Sequence, residues 1–296
     1  MNYATFKNFS LDKLFEVWYT MLCMKKNCDT KYPIFLIHGV GCRDGKRLKY
    51  WGRISAALEK QGARVFCGHQ DGWGTVEHNA KFLKARLEKI LAETNCKKVN
   101  IIAHSKGGLD TRYMISTLGM ADYVASLTTV ATPHRGSKTI DLLFKLPNGI
   151  YKFAGFFVDS FFRMIGDTNP DFYTACKNFQ TSDMLAFNKR NPDASAVYYQ
   201  SYAAAMKSSF SDVFLFFPHF LIRKIEGEND GLVAVKSAKW ANFKGILRSE
   251  NRRGISHLDE IDMRRTNLAR KGSIGNISDI RRFYVRVVAE LKHKGL

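Results

Sequence analysis

The sequence predicts an α/β fold, a mostly parallel sheet wrapped by helices. Short apolar or β-branched runs recur along the chain, amphipathic stretches at helical spacing separate them, and turn-forming residues punctuate the two. Five runs read as strands: "PIFLI" (Pro33–Ile37), "ARVFC" (Ala63–Cys67), "VNIIA" (Val99–Ala103), "SLTTVA" (Ser126–Ala131) and "AVYYQSY" (Ala196–Tyr202). The first four are almost continuously apolar or β-branched, which marks strands buried on both faces, as a parallel sheet requires.

Helices are expected between them. Trp51, Ile54 and Leu58 share a helical face ahead of Gly62, a helix stop. Val76, Ala80, Leu83, Leu87 and Ile90 repeat at helical spacing behind Thr75, whose hydroxyl suits an N-cap. Ile277, Ile280, Tyr284, Val287, Val288 and Leu291 form a last stripe. No internal repeat and no low-complexity linker interrupts the pattern. The chain therefore reads as an N-terminal arm over residues 1–31 and one domain over 32–296. Residues 138–166, "KTIDLLFKLPNGIYKFAGFFVDSFFRMIG", break the alternation with dense Phe, Leu and Ile. A segment at about residues 138–180 reads either as ordinary core or as a cover over a pocket. A second greasy piece, "VFLFFPHFLI" (Val213–Ile222), is too short to span a bilayer.

With 296 residues and 45% hydrophobic content the chain can bury a large core. Its formal charge is +19, and residues 244–296 alone hold 13 Lys and Arg against 6 Asp and Glu. Such a surface suits contact with nucleic acid or anionic membrane, and equally an ordinary solvated face, which is the reading favoured here. No basic run is interleaved with aromatic side chains as base-stacking platforms require, so nucleic acid is not an expected partner. None of the six cysteines pair as C-x-x-C, and a chain this long needs no disulfide staples. The apolar stretch "VWYTMLCM" lacks both the preceding positive charge cluster and the small-residue cleavage site of a secretory signal. No apolar run reaches the ~20 residues of a membrane-spanning helix. The expectation is a cytoplasmic protein with reduced thiols.

The chemistry centres on "VNIIAHSKGGLDTRY" (Val99–Tyr113). Ser105 stands directly after an apolar strand and directly before a helical pattern. A sharp strand-to-helix turn holds such a serine in a strained backbone conformation and lifts its hydroxyl above the sheet edge. The positions two before and two after must be small because neighbouring backbone passes close. Ala103 and Gly107 meet that need, although Ala103 replaces the first glycine of Gly-x-Ser-x-Gly. The helix start behind Ser105 aims N–H groups at the oxyanion formed when an ester carbonyl is attacked.

A serine needs a base, and the base needs a carboxylate to orient it. Eight histidines compete: His38, His69, His78, His104, His134, His219, His257 and His293. His104 is expected to diverge from the site across the turn. His38 and His134, in loops just after strands, read as structural. In the α/β-hydrolase order the acid and base follow the serine on later loops. "IEGENDGLVAV" and "ISHLDEID" fit that order, with Asp230 as acid and His257 as base. Glu228 is a rival acid, but Gly231 leaves room for a tight loop beside Asp230.

These residues resemble the bacterial triacylglycerol lipase family of the α/β-hydrolase superfamily. The matching pieces are "YPIFLIHGVG" (Tyr32–Gly41), the Ser105 stretch, "SLTTVATPHRGS" (Ser126–Ser137), "NDGLVAV" (Asn229–Val235) and "HLDEI" (His257–Ile261), in the family's order. The resemblance implies Ser105 as nucleophile, Asp230 as acid and His257 as base. It implies an oxyanion hole from the backbone N–H groups of Val40 and Lys106, so the Lys106 side chain need not enter the hole. It places a lid in the greasy segment after Ser137. The activity it implies is serine carboxylic ester hydrolysis on lipid or small ester substrates, with transient contact to a lipid surface and no required cofactor. An acyltransferase using the same acyl-enzyme, and a non-catalytic membrane-surface protein on this fold, are the alternatives.

The family also carries a structural calcium ion. The resemblance puts one carboxylate at Asp259, two residues after the base, and a second upstream of the acid, where Asp212 is nearest. The family's side-chain amide ligand, four residues further on, is Met263 here, which is no ligand for a hard cation. A salt bridge or loop hydrogen bond from Asp259 is the competing reading.

Overall fold

The computed structural model describes residues 26–41, 49–270 and 276–296. Most of the expected N-terminal arm, residues 1–25, lies outside them. In chain order the first half contains β1 (Ile34–Ile37), α1 (Ile54–Lys60), β2 (Val65–Cys67), α2 (Val76–Thr94), β3 (Val99–His104), α3 (Gly107–Ser116) and β4 (Val124–Val130). Four helices follow: α4 (Lys138–Leu143), α5 (Asn148–Met164), α6 (Phe172–Lys177) and α7 (Thr181–Arg190). The chain then returns to the sheet with β5 (Tyr198–Ala204), α8 (Phe216–Ile225), α9 (Val235–Ala238), β6 (Asn242–Leu247) and α10 (Ile280–His293).

The strands form one six-stranded sheet in the order β2-β1-β3-β4-β5-β6, and every pairing is parallel. The interior strands β1, β3 and β4 are buried along their whole length. That is why they read as unbroken apolar runs. Their side chains alternate between two cores. Ile34 and Leu36 face a layer built with α1 and α10, whereas Phe35 and Ile37 face one built with α2 and α3. α10 buries Ile280, Phe283, Tyr284, Val287, Val288 and Leu291. Each full burial of this kind stabilises by about 1.5–3 kcal/mol, so this terminal helix is integral to the fold. Cys28 is buried against the same layer, and Lys31 N–H bonds to Leu296 O at 3.1 Å.

The caps form where expected. Thr75 accepts a hydrogen bond from His78 N–H at the start of α2, and Gly62 takes φ +93° just beyond α1. β6 has no counterpart among the expected strands. It lies at the sheet edge, mostly exposed or half-buried, with Lys244 and Gly245 within it. An edge strand buried on one side needs no continuous apolar run, so its signal is weak. Among the described residues no helix is long and apolar enough to cross a membrane.

Strand order reverses between β1 and β3. The loops leaving their carboxyl ends therefore splay apart into a crevice, the place where open parallel sheets bind ligands. Ser105 follows β3 directly, and residues 38–41 follow β1.

Candidate active site

Ser105 takes φ +53°, a left-handed conformation that costs a non-glycine residue roughly 1–3 kcal/mol. Its N–H bonds to Val130 O at 2.9 Å, and its C=O accepts from Thr132 Oγ1 at 2.8 Å. The crowding expected around the turn is present. A Cβ on Gly107 would sit 2.3 Å from His38 O, and one on Gly39 would sit 2.7 Å from Ser105 Cβ. Ala103, fully buried and paired with Ile37 of β1, fits where glycine was not needed.

Asp230 and His257 are brought together. His257 Nδ1 lies 2.9 Å from Asp230 Oδ2, and His257 N–H bonds to Asp230 O at 2.9 Å. The other carboxylate oxygen, Oδ1, accepts the N–H groups of Leu232 and Val233, both at 2.8 Å. Gly231, at φ +107°, makes that tight loop feasible. Burial pushes the Asp230 carboxyl up, but His257 and the two N–H donors outweigh it and hold the group below the usual range. Asp230 is thus a permanent anion at neutral pH. Glu228 is exposed and paired with Arg248 at 2.8 Å, away from His257.

The oxyanion candidates are free to donate. Neither Val40 N–H nor Lys106 N–H has an acceptor among the described residues. Lys106 caps the start of α3, where main-chain donors are unpaired by geometry. Its side chain runs along the helix instead, with Nζ 2.6 Å from Asp110 Oδ1 in a fully buried pair. Burial pushes Asp110 up to about 6 despite that partner.

His104 was expected to leave the site, and instead its ring centroid lies 4.4 Å from that of His257. Tyr50 OH is 2.7 Å from His104 Nδ1, and Glu260 Oε2 is 2.9 Å from His104 Nε2. Burial and the charge of His257 hold His104 well below the usual histidine range. Burial, then the charge and hydrogen bond of Asp230, hold Glu260 well above the usual carboxylate range. The contact is therefore a hydrogen bond between neutral groups, not an ion pair. Glu260 Oε1 has no N–H or O–H donor among the described residues. A neutral, protonated Glu260 avoids a second buried anion beside Asp230. His104, His257 and Glu260 offer ligand atoms within 4.8 Å of one another, but Tyr50, Glu260 and Asp230 already engage three of the four ring nitrogens. Protein groups thus already occupy most of the ring nitrogens such a cluster would offer. Glu260 lies inside the quoted "HLDEI", but its role depends on contact with Asp230 that no spacing reveals.

The network has a testable consequence. The folded protein keeps a proton on Glu260 that the unfolded chain releases once pH exceeds the ordinary glutamate range. Folded protein then binds more protons than unfolded, so stability is lost as pH rises toward the raised pKa. Glu260→Gln preserves the neutral donor and acceptor without that penalty. Its Tm relative to wild type is expected to climb between pH ~5 and pH ~8. Thermal unfolding across that range checks it; a difference independent of pH contradicts a protonated Glu260.

Two aromatic segments flank the crevice. On the oxyanion side, Phe162 of α5 packs edge-on against Trp73, and neighbouring Gly72 O accepts Gly41 N–H at 3.1 Å. On the acid side, Leu215 abuts Gly231. Asp212 and Asp259 also meet: Ser256 Oγ lies 3.0 Å from Asp212 Oδ2 and 2.9 Å from Asp259 Oδ2. Arg264 and Arg253 pair with the two carboxylates.

Comparison with known proteins agrees with this architecture. The model of the alpha/beta hydrolase fold family matches residues 32–200. Triacylglycerol lipase 2 of Saccharomyces cerevisiae is 29% identical over 263 residues, covering 84% of this chain and 74% of that protein. A triacylglycerol lipase of Vibrio cholerae is 30% identical over 261 residues, covering 79% of this chain and 80% of that protein. Among solved structures, Staphylococcus hyicus lipase superposes with a TM-score of 0.61 at 17% identity, covering 90% of this chain and 98% of that one, a likeness of fold. The chain belongs to the α/β-hydrolase fold family, as a lipase-like carboxylic ester hydrolase.

Proposed function

We propose that this chain cleaves lipid esters through an acyl-enzyme on Ser105, with His257 as general base and Asp230 as its orienting carboxylate. The observation that carries the reading is the 2.9 Å contact of His257 Nδ1 with Asp230 Oδ2, on the loop that brings His257 against the residue preceding Ser105. Nδ1–H donates to the anionic Asp230, so Nε2 is free of a proton and can accept one from the serine hydroxyl. Ser105 Oγ attacks the ester carbonyl carbon. The oxyanion takes hydrogen bonds from Val40 N–H and Lys106 N–H, each worth about 3–4 kcal/mol of barrier in such sites. The imidazolium, stabilised by Asp230, gives its proton to the departing alcohol. Water, deprotonated by His257, then releases the acid and restores Ser105. No step calls on a cofactor.

The lipid part of the reading rests on the relatives' names and on the surface. Ser105 and His257 are only 5% and 4% exposed, so a bulky ester needs the covering segment to move. We read residues 138–180 as that cover. Its helix α5 turns Phe153, Phe156, Phe157 and Phe161 to solvent, a face suited to transient contact with a lipid surface. Cys28, Cys96 and Cys176 carry free thiols, in keeping with a reducing, cytoplasmic setting.

A fluorophosphonate probe is expected to label Ser105 stoichiometrically, located by peptide mass spectrometry. A chain-length series of p-nitrophenyl esters should show turnover, with a rate increase as substrate passes its solubility limit. Neither labelling nor turnover on any ester contradicts the reading, and turnover without the increase assigns a soluble-ester esterase.

A further inference from the structure

We propose that Arg264 and Arg253 replace a structural cation here, bridging Asp212 and Asp259 so that the loop carrying His257 is clamped without metal. The two carboxylates meet at Ser256, the residue before His257, and Asp259 lies two residues after it. Both Asp212 oxygens are occupied. Arg264 Nη2 and Nε donate to Oδ1 and Oδ2, with Nε at 3.1 Å. Phe214 N–H adds a bond to Oδ1 at 3.1 Å. Asp259 Oδ2 accepts Arg253 Nη1 at 2.8 Å and Ser256 N–H at 3.0 Å. Ser256 Oγ, with its single proton, sits between the acids.

This arrangement does not fit calcium. A hard dication seeks six to eight oxygen ligands. Of the four carboxylate oxygens here, only Asp259 Oδ1, buried, lacks a partner among the described residues. Two carboxylates against two guanidinium groups leave no net charge to bind the ion. Met263, where an amide oxygen would stand in the calcium-binding pattern, packs against the apolar core. A bidentate guanidinium matches a carboxylate's shape as a spherical ion does not.

The clamp reaches beyond the histidine. Arg253 Nε also bonds to Ser211 O, and Ser211 Oγ bonds to Arg253 O at 2.7 Å. Arg264 lies 4.4 Å over the ring of Phe214, which is itself exposed. One set of charges therefore ties the base's loop to the aromatic segment on the acid side of the crevice. Arg264 and Arg253 are positioning residues that act through His257.

The test compares wild type with Arg253→Gln, Arg264→Gln and the double variant, in EDTA and in millimolar CaCl2. Wild-type Tm and ester kcat should be the same in both buffers, with no calcium uptake by titration calorimetry. Each Gln variant should lose several degrees of Tm and about tenfold in kcat, since a small misplacement of the base costs rate on that scale or more, with KM for a short soluble ester little changed. Arg264→Lys, which keeps charge without the fork, should fall between. The double variant frees two carboxylates, so its Tm should rise in CaCl2. Calcium uptake by wild type, a calcium-dependent wild-type Tm, or a double variant with wild-type Tm and kcat overturns the proposal. A double variant indifferent to calcium overturns the equivalence of cation and arginines. The kinetic arm rests on His257 being the base; the Tm and uptake arms stand without it, so a failure of either reading is told from the other.

Discussion

Ser105→Ala is expected to remove ester turnover, lowering kcat by about 10⁵–10⁶-fold, the scale on which losing a nucleophile stops such cycles. Without the hydroxyl no acyl-enzyme forms, and the oxyanion donors have no tetrahedral intermediate to bind. The fold should survive. Alanine keeps the Cβ and loses one atom from a residue whose Oγ makes no hydrogen bond among the described residues, while its N–H and C=O remain bonded to Val130 and Thr132. Circular dichroism and Tm near wild type, with no fluorophosphonate labelling, complete the expected result. Wild-type turnover of p-nitrophenyl esters by this variant sinks the assignment of Ser105.

Asp230→Asn is expected to cost about 10⁴-fold in kcat at neutral pH, the loss typical when the orienting carboxylate of a triad becomes an amide. The direction follows from Asp230's own bonds. Oδ1 accepts Leu232 and Val233 N–H, so an asparagine oxygen must occupy that side. Its NH2 then faces His257 Nδ1, which must accept rather than donate. The ring proton is driven to Nε2, the atom needed to take the serine's proton. The charge that stabilises the imidazolium is lost as well. Single-turnover kinetics and backbone N–H chemical shifts for the 228–233 loop separate this from unfolding. Activity within about tenfold of wild type contradicts a base oriented by Asp230.

Much of this was legible in the residues. β1, β3 and β4 announce themselves because strands buried on both faces have no polar side to present. Ser105 stands out because a strained turn between buried strand and helix demands small neighbours, and Ala103 and Gly107 supply them. Asp230 and His257 follow from their order after the serine and from the glycine beside the acid. β6 stayed hidden because a half-exposed edge strand alternates weakly and here contains Lys244 and Gly245. His104 misled because sequence adjacency to the serine suggests divergence across the turn, whereas its ring comes round to lie against His257.

The sequence by itself determined the class of fold and the identity of the three candidate catalytic groups. Those depend on local periodicity, on turn sterics and on chain order, all properties of neighbouring residues. Only the tertiary structure decided what surrounds them. Glu260 is held neutral near Asp230 because burial makes two adjacent anions too costly, although the residues lie 30 positions apart in the chain. Arg264 reaches Asp212 across 52 positions, filling with guanidinium the space in which the sequence pattern suggested a cation. Charge pairing inside a folded loop is a three-dimensional property, set by which side chains are excluded from water together.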